Sequence, residues 1–423
     1  MIDVRTLFFC ARDVRDYVRD ESDVQSSLFE RMKIYRDRDS ALTAPIVGET
    51  GIEGLRLDFN FGLRLDVPVG DFRVVISDGD SGQIFFDENI SDVRLISVEK
   101  HFIRWQVEVF RGGMKIFSHV LNLEGRRVLI ACRLTGMGDI ISLLAYLRAF
   151  RDFHRCRLTI HLREYMREFA AHFYPDLPQT DALTFDSYAT YYPLMTLGNY
   201  PAVPLDIRNE PMERAHRKIF GLNVLPRRAT FKPTSPPVTD EPYVCIGVQA
   251  STTIKGWLYP NGWDIVVDYL RRLGYRVFCI DKRSTETNDG RTITMPAAAE
   301  DFTGDYTIMH RANMLAHAEF FVGLSSGLAW LAHAVDCPVV MICGFSQDWF
   351  EFHTPYRVAN RLVCNGCLND VRDNFVWNVC PYHHGTEREL ECQKKISPRQ
   401  VINAIEQLII DRGLTPPVLK NFA

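Results

Sequence analysis

The chain predicts an α/β fold of two lobes preceded by a small β-rich domain. Three observations carry this: an alternating apolar run before residue 66, strand-loop-helix units after Gly125, and a cluster of prolines between two sets of those units. Strands that alternate with helices imply parallel sheets covered by their crossover helices. At 423 residues the chain is also longer than one hydrophobic core ordinarily supports.

Residues 1 to about 50 are charge-rich, with a weak helical period at 24–35. Leu55, Leu57, Phe59, Phe61, Leu63 and Leu65 then alternate with Arg56, Asp58, Asn60, Gly62 and Arg64. That period of two puts all the apolar side chains on one face of a strand. Strand-like runs follow at 72–77, 93–97, 103–110 and 115–121, separated by turn formers such as Asp78-Gly79-Asp80 and Gly112-Gly113. A small antiparallel sheet or barrel over 50–123 is predicted, giving an N-terminal β-rich domain of residues 1–123.

After Gly125, a buried strand at 127–132, the loop Thr135-Gly136-Met137-Gly138-Asp139 and a helix at 140–150 open a first Rossmann-like lobe of residues 124–240. A strand at 158–161 and a helix at 163–172 continue it. Pro226, Pro233, Pro236, Pro237 and Pro242 resist both helix and sheet, which suits a connection between lobes. The second lobe, 241–423, reads as strand 243–249, helix 262–273, strand 276–280, helix 308–317, strand 320–323, helix 327–335 and strand 338–343.

Apolar residues make up 46% and charged residues 24%, the balance of a folded protein, and a net charge of −4 gives no general attraction to nucleic acid or an anionic membrane. The most apolar stretch, 320–345, is broken by Gly323, Gly327, His333, Asp336 and Pro338, so it reads as strand, helix and strand and not as a membrane span. Met1-Ile2-Asp3-Val4-Arg5 lacks the pattern of a secretory signal, and a cytoplasmic protein is expected. Of eleven cysteines, Cys132, Cys245, Cys279, Cys337 and Cys343 lie in apolar segments and read as small buried hydrophobes.

Three loops sit where a strand feeds a helix, the place where open α/β sheets bind ligands. In the first, Gly136 and Gly138 let a substrate approach the backbone and Asp139 either points into a cleft or caps the helix. In the second, Ser251-Thr252-Thr253-Ile254-Lys255-Gly256-Trp257, hydroxyls and a lysine can hold a diphosphate, or Lys255 is a solvated surface lysine. The third, Gly323-Leu324-Ser325-Ser326-Gly327-Leu328, offers helix-start amides to an anion, or is ordinary turn chemistry.

Cys364-Asn365-Gly366-Cys367, followed by Cys380 and Cys392, is the most specific pattern in the chain. Four thiolates close a tetrahedral shell around iron or zinc and leave no position for substrate, so a structural metal finger is expected in preference to four unrelated thiols. His353, His383 and His384, close in sequence, read as surface residues.

Gly138-Asp139, Lys255-Gly256-Trp257 and Ser326-Gly327-Leu328, in that order and in two lobes, resemble the ADP-heptose-dependent heptosyltransferases, and the lobes with their proline-rich connector resemble the GT-B arrangement. The resemblance implies Asp139 as general base on the acceptor hydroxyl. It gives Thr135, Gly136, Met137, Gly138, Thr252, Lys255, Ser325, Ser326, Gly327 and Leu328 as substrate contacts, with Lys255 also acting on the leaving diphosphate. Ser325 stands where the lipopolysaccharide branch carries an acid, and Trp330 where a histidine is usual. Together with the β-rich N-terminal domain, Asp58-Phe59-Asn60-Phe61-Gly62, the segment 191–200 and the finger at Cys364, Cys367, Cys380 and Cys392, the chain resembles bacterial autotransporter heptosyltransferases. That resemblance implies heptose transfer to serines of an autotransporter passenger, one structural iron (or zinc) per chain and a dodecameric homo-oligomer. The alternatives are a heptosyltransferase of lipopolysaccharide core and, in another class, a metal-thiolate or redox protein on a degenerate transferase scaffold.

Overall fold

A computed structural model of the chain describes residues 8–10, 44–97, 101–132, 134, 136–184, 186–193, 195, 205–226, 228–288, 290–372, 375–376 and 379–420. The helix expected at 24–35, Thr135 and most of 194–200 lie outside the described residues.

The N-terminal strands are β1 (Phe8–Cys10), β2 (Arg56–Asn60), β3 (Arg64–Val67), β4 (Phe72–Asp78), β5 (Ile84–Ile90), β6 (Val93–Ser97), β7 (Trp105–Arg111) and β8 (Met114–Val120). The alternating run is thus a hairpin and not one strand: Leu57 pairs with Leu65 across a reversal at Phe61 and Gly62, both left-handed at φ 73° and 81°. Both arms bury the same sheet face, so the period of two passes through the turn unbroken and hides it.

Of the antiparallel sheet or barrel expected over 50–123, the described residues form open sheets. β4, β5, β7 and β8 make a four-stranded antiparallel sheet of order β5-β4-β7-β8. β1, β2, β3 and β6 instead join the first lobe's β9 (Arg127–Ala131), β10 (Arg157–His161) and β11 (Ala189–Tyr191), in the order β1-β6-β3-β2-β11-β9-β10. This sheet runs across the 123/124 boundary expected from the sequence. Its seam is the parallel pairing of β2 with β11, Ala189 opposite Phe59 and Thr190 opposite Asn60. Such a long-range pairing leaves no periodic trace in either segment. The polar side of β2 is buried as well: Asp58 and Arg64 form an ion pair at 2.7 Å, and the guanidinium also donates to the carbonyls of Ala44 and Pro45. Asn60 closes the network by accepting from Thr190 Oγ1 at 2.5 Å. Satisfying every partner is what makes a buried charge pair tolerable there.

Around the first sheet pack α1 (Met137–His154), α2 (Glu164–Phe173) and α3 (Met212–Ile219). Ile140, Leu143, Leu144, Leu147 and Phe150 recur at helical spacing along α1 and are all buried, each contributing about 1.5–3 kcal/mol. Arg155, left-handed at φ 50°, ends the helix. The second lobe is a six-stranded parallel sheet of order β16-β13-β12-β17-β18-β19. Its strands are β12 (Tyr243–Gly247), β13 (Arg276–Cys279), β16 (Glu300–Asp301), β17 (Phe321–Leu324), β18 (Val339–Ile342) and β19 (Arg357–Val358), and the hairpin β14 (Thr285–Asn288) with β15 (Arg291–Thr294) forms its own ladder. Helices α4 (Gly262–Arg272), α5 (Ile308–His317), α6 (Gly327–Ala334) and α7 (Pro398–Asp411) cover it, the last started by a Ser397/Gln400 capping box. No described helix is long and apolar enough to cross a membrane.

The proline-rich segment is irregular but not loose. Phe231 stacks on Phe173 with ring centroids 5.5 Å apart, and Thr234 is tied to Asn313 of α5. One apolar cluster runs without a break from Phe59 through Leu143 to Trp330 and Phe352, so the lobes meet through a dry core.

Candidate functional site across the lobe junction

The starts of α1 and α6 meet face to face. A Cβ on Gly138 would lie 2.6 Å from Cδ1 of Trp330, and one on Gly327 would lie 2.9 Å from Cβ of Met137. Each glycine therefore lets the opposing lobe come closer than any side chain would allow. Because β9 feeds α1 and β17 feeds α6, this junction lies at the C-terminal ends of parallel strands in both sheets.

Asp139 sits in the first turn of α1 with its carboxylate close over Gly136, the residue that precedes the helix. Its carbonyl accepts from Ser142 Oγ at 2.8 Å, and Ser142 Oγ is 3.0 Å from Nε2 of His216 on α3. Since the serine proton goes to the carbonyl, the network assigns the imidazole proton to Nε2, leaving Nδ1 a buried acceptor without a partner. Burial pushes the His216 pKa down to about 3, so the ring is neutral.

On the second lobe, Thr252 and Lys255 follow β12, and Ser325, Ser326, Gly327 and Leu328 follow β17; the two strands are neighbours, Gly247 opposite Gly323. Lys255 Nζ lies 5.7 Å from the centroid of the Phe345 ring. The hydroxyls of Thr252 and Ser326 are buried and have no hydrogen-bond partner among the described residues. A buried hydroxyl left so costs free energy unless a ligand satisfies it. Ser325 differs: its hydroxyl donates to Glu351, a buried carboxylate that also accepts from Ser346 and is ion-paired with Arg357 at 2.6 Å. Leu328 packs toward β12, where a Cβ on Gly247 would come 3.1 Å from its Cδ1. The loop between β12 and the lysine is held from below by Asp281, whose carboxylate accepts from the amides of Val248 at 2.7 Å and Gln249 at 3.3 Å. Burial pushes Asp281 up to about 6.

Gly136, Met137, Gly138, Asp139, Ser326 and Gly327 are thus brought to one junction, with Thr252 and Lys255 on the adjoining strand end. Thr135 is not among the described residues. Sequence reading missed His216, Glu351 and Arg357. Glu351 had a signal, an acid enclosed by Trp349, Phe350 and Phe352.

Cys364, Cys367, Cys380 and Cys392 are all free thiols, three of them buried. Burial and then the negative charge of the neighbouring sulfurs raise Cys364, Cys367 and Cys392, Cys367 to about 12. Raised in this way the thiols are neutral on their own, and a bound cation is what would deprotonate them. Ligand atoms of Cys364, His383 and Glu391 also lie within 4.8 Å of one another, so His383 is part of this neighbourhood and not the detached surface residue that its sequence position suggested. Glu391 is already engaged: it accepts from the Cys364 amide at 3.0 Å and from Arg388 at 2.6 Å. Polar groups so placed orient metal ligands as readily as they serve as ligands.

Residues 51–113 match the N-terminal domain of the glycosyltransferase TibC, and residues 210–373 match glycosyltransferase family 9 (heptosyltransferase). The chain is 37% identical over 370 residues to the autotransporter heptosyltransferase BAHTCr of Citrobacter rodentium, covering 85% of this chain and 90% of the relative. It is 36% identical over 391 residues to the autotransporter heptosyltransferase TibC of Escherichia coli O78:H11, covering 88% and 95%. The crystal structure of TibC, described as an iron-containing dodecameric glycosyltransferase, superposes with a TM-score of 0.83 at 35% identity over 88% of this chain and 100% of that one. TibC has also been crystallised with ADP-D-beta-D-heptose. At 32% identity over 371 residues, covering 85% and 87%, the chain is also similar to BimC of Burkholderia thailandensis, described as an inactive autotransporter heptosyltransferase.

Proposed function

This chain belongs to the autotransporter heptosyltransferases, and from that premise we propose that it moves a heptose from ADP-heptose to serine hydroxyls of an autotransporter passenger. The observation that carries the reading is the junction itself: the helix start bearing Asp139 is packed against the helix start at Ser326-Gly327, with Gly138 on Trp330 and Gly327 on Met137. Asp139 takes the proton of the serine hydroxyl as its oxygen attacks the anomeric carbon. The bond from that carbon to the diphosphate oxygen breaks in the same step, inverting the centre, and ADP leaves. Lys255 and the amides that open α6 stabilise the charge on the departing diphosphate, and the hydroxyls of Thr252 and Ser326 gain a partner that none of the described residues gives them.

The acceptor enters on the side of residues 124–240 and the nucleotide sugar is held by 241–423. Cys364, Cys367, Cys380 and Cys392 ligate one structural iron, with Glu391 and His383 beside the Cys364 end of the shell. Bound there, the metal ties together an irregular segment that lacks a core of its own. The protein works in the cytoplasm, where its thiols stay reduced, and assembles as a homo-oligomer of the dodecameric kind described for TibC.

The test is co-expression with a passenger domain and intact-mass analysis. Wild type should add increments of one heptose, Asp139→Ala none while still binding ADP, and Lys255→Ala few, with weakened ADP binding. The relationship to an inactive relative favours one second reading, a scaffold without transfer activity. Donor binding without any mass increment would select it, and labelling of a lipopolysaccharide core in place of the passenger would move the acceptor to lipid.

A further inference from the structure

The segment Ser346–Phe352 makes contacts to both lobes beside the junction. Phe350 O accepts from the amide of Met212, which opens α3 in the first lobe, at 2.8 Å. Phe352 lies edge-on to Trp330 at 5.1 Å, the indole that packs on Gly138, and stacks on His333 at 4.1 Å. Between them Glu351, 3% exposed, accepts the Ser325 hydroxyl. Its second oxygen is held by Arg357 Nη1 at 2.6 Å, and Arg357 Nη2 fixes Ser346 Oγ at 2.8 Å. Both oxygens of Glu351 are thus engaged by protein groups. A buried, fully paired carboxylate beneath a turn fixes that turn's backbone more tightly than neutral loop contacts do.

We propose that Glu351 is the positioning residue of the diphosphate turn, acting through Ser325 to hold the Ser325-Ser326-Gly327 backbone in the conformation that presents its amides and the Ser326 hydroxyl to the donor. This rests on the reading of that turn as the holder of the ADP-heptose diphosphate. The same segment passes through Phe350 to α3, whose His216 supports the Asp139 carbonyl through Ser142. Glu351 therefore sits on a chain of contacts that ties the donor turn to the acceptor-side carboxylate's helix, beside the direct packing of Gly138 on Trp330.

The experiment titrates ADP into the wild-type chain and into Ser325→Ala, Ser325→Thr, Glu351→Gln and the Ser325→Ala/Glu351→Gln double variant. Heptose transfer is measured alongside against donor and against passenger concentration. Ser325→Ala and Glu351→Gln should each weaken ADP binding and raise the donor KM about tenfold, the scale of a hydrogen bond to a charged group. The passenger KM should stay unchanged, the double variant should be no worse than the poorer single, and Ser325→Thr should restore binding. Should Glu351→Gln fail to fold, Ser325→Ala leaves the Glu351–Arg357 pair intact and carries the test alone. Wild-type ADP affinity in Ser325→Ala, or a double variant whose losses simply add, overturns the role of Glu351. Absence of ADP binding in the wild-type chain overturns the donor reading together with it.

Discussion

Gly138→Ala tests the lobe junction with a single carbon. The added Cβ would stand 2.6 Å from Trp330 Cδ1, 2.9 Å from Cγ and 3.0 Å from Nε1, whereas ordinary contact begins near 3.4 Å. Either the indole or the start of α1 must therefore move by roughly 1 Å. Trp330 is hemmed in, 4% exposed and packed on Phe352, so the helix start is the freer partner. Overpacking of this kind costs about 1–3 kcal/mol, offset by up to about 1 kcal/mol because alanine is the better helix former. The net loss of stability should thus be modest, about 0–3 kcal/mol. The loss of activity should be far larger, since a displacement of about 1 Å in an aligned catalytic pair costs on the order of a hundredfold. Urea denaturation and heptose-transfer kinetics on the same preparation read both quantities. A Gly138→Ala variant with wild-type turnover would refute the argument that this contact sets the distance between the carboxylate and the donor.

Two further outcomes follow from the structure. If the iron is held by four thiolates, Cys392→Ser should lose metal and thermal stability while His383→Ala keeps both, as read by bound-iron analysis and a thermal melt; the reverse pattern would assign the metal to Cys364, His383 and Glu391. On acidification the fold should lose stability from pH 6.5 down to about 4. Burial holds His154 at about 4 and His216 at about 3, against an ordinary 6.5, so the unfolded chain takes up these protons first. Each contributes about 1.4 kcal/mol per pH unit within its window. Asp281 works in the opposite sense: raised from 3.8 to about 6, it binds a proton in the folded state that the unfolded chain does not, which softens the loss between those two values. Urea midpoints at pH 7, 5.5 and 4.5 check the sum, and a midpoint that rises toward pH 4.5 would contradict it.

The sequence by itself determined the local elements and the chemistry they carry. The helices expected at 262–273, 308–317 and 327–335 and the strands expected at 243–249, 276–280 and 320–323 are read from apolar spacing because each buries one stripe or one face, and burial leaves that imprint residue by residue. Asp139, Lys255 and the Ser326-Gly327 turn stood out for the same local reason, a reactive or permissive residue where a strand hands over to a helix. Only the tertiary structure decided which elements share a sheet and which side chains meet. The turn at Phe61-Gly62 was invisible because both arms keep the same alternation, and the pairing of β2 with β11 makes the N-terminal strands part of the first lobe's sheet through hydrogen bonds that any side chain permits. Glu351, Arg357 and His216 became functional candidates only through partners far away in the chain, Ser325 for the first and Ser142 for the last. Packing between distant segments depends on shape and on satisfied polar partners, and neither has a period for a sequence to display.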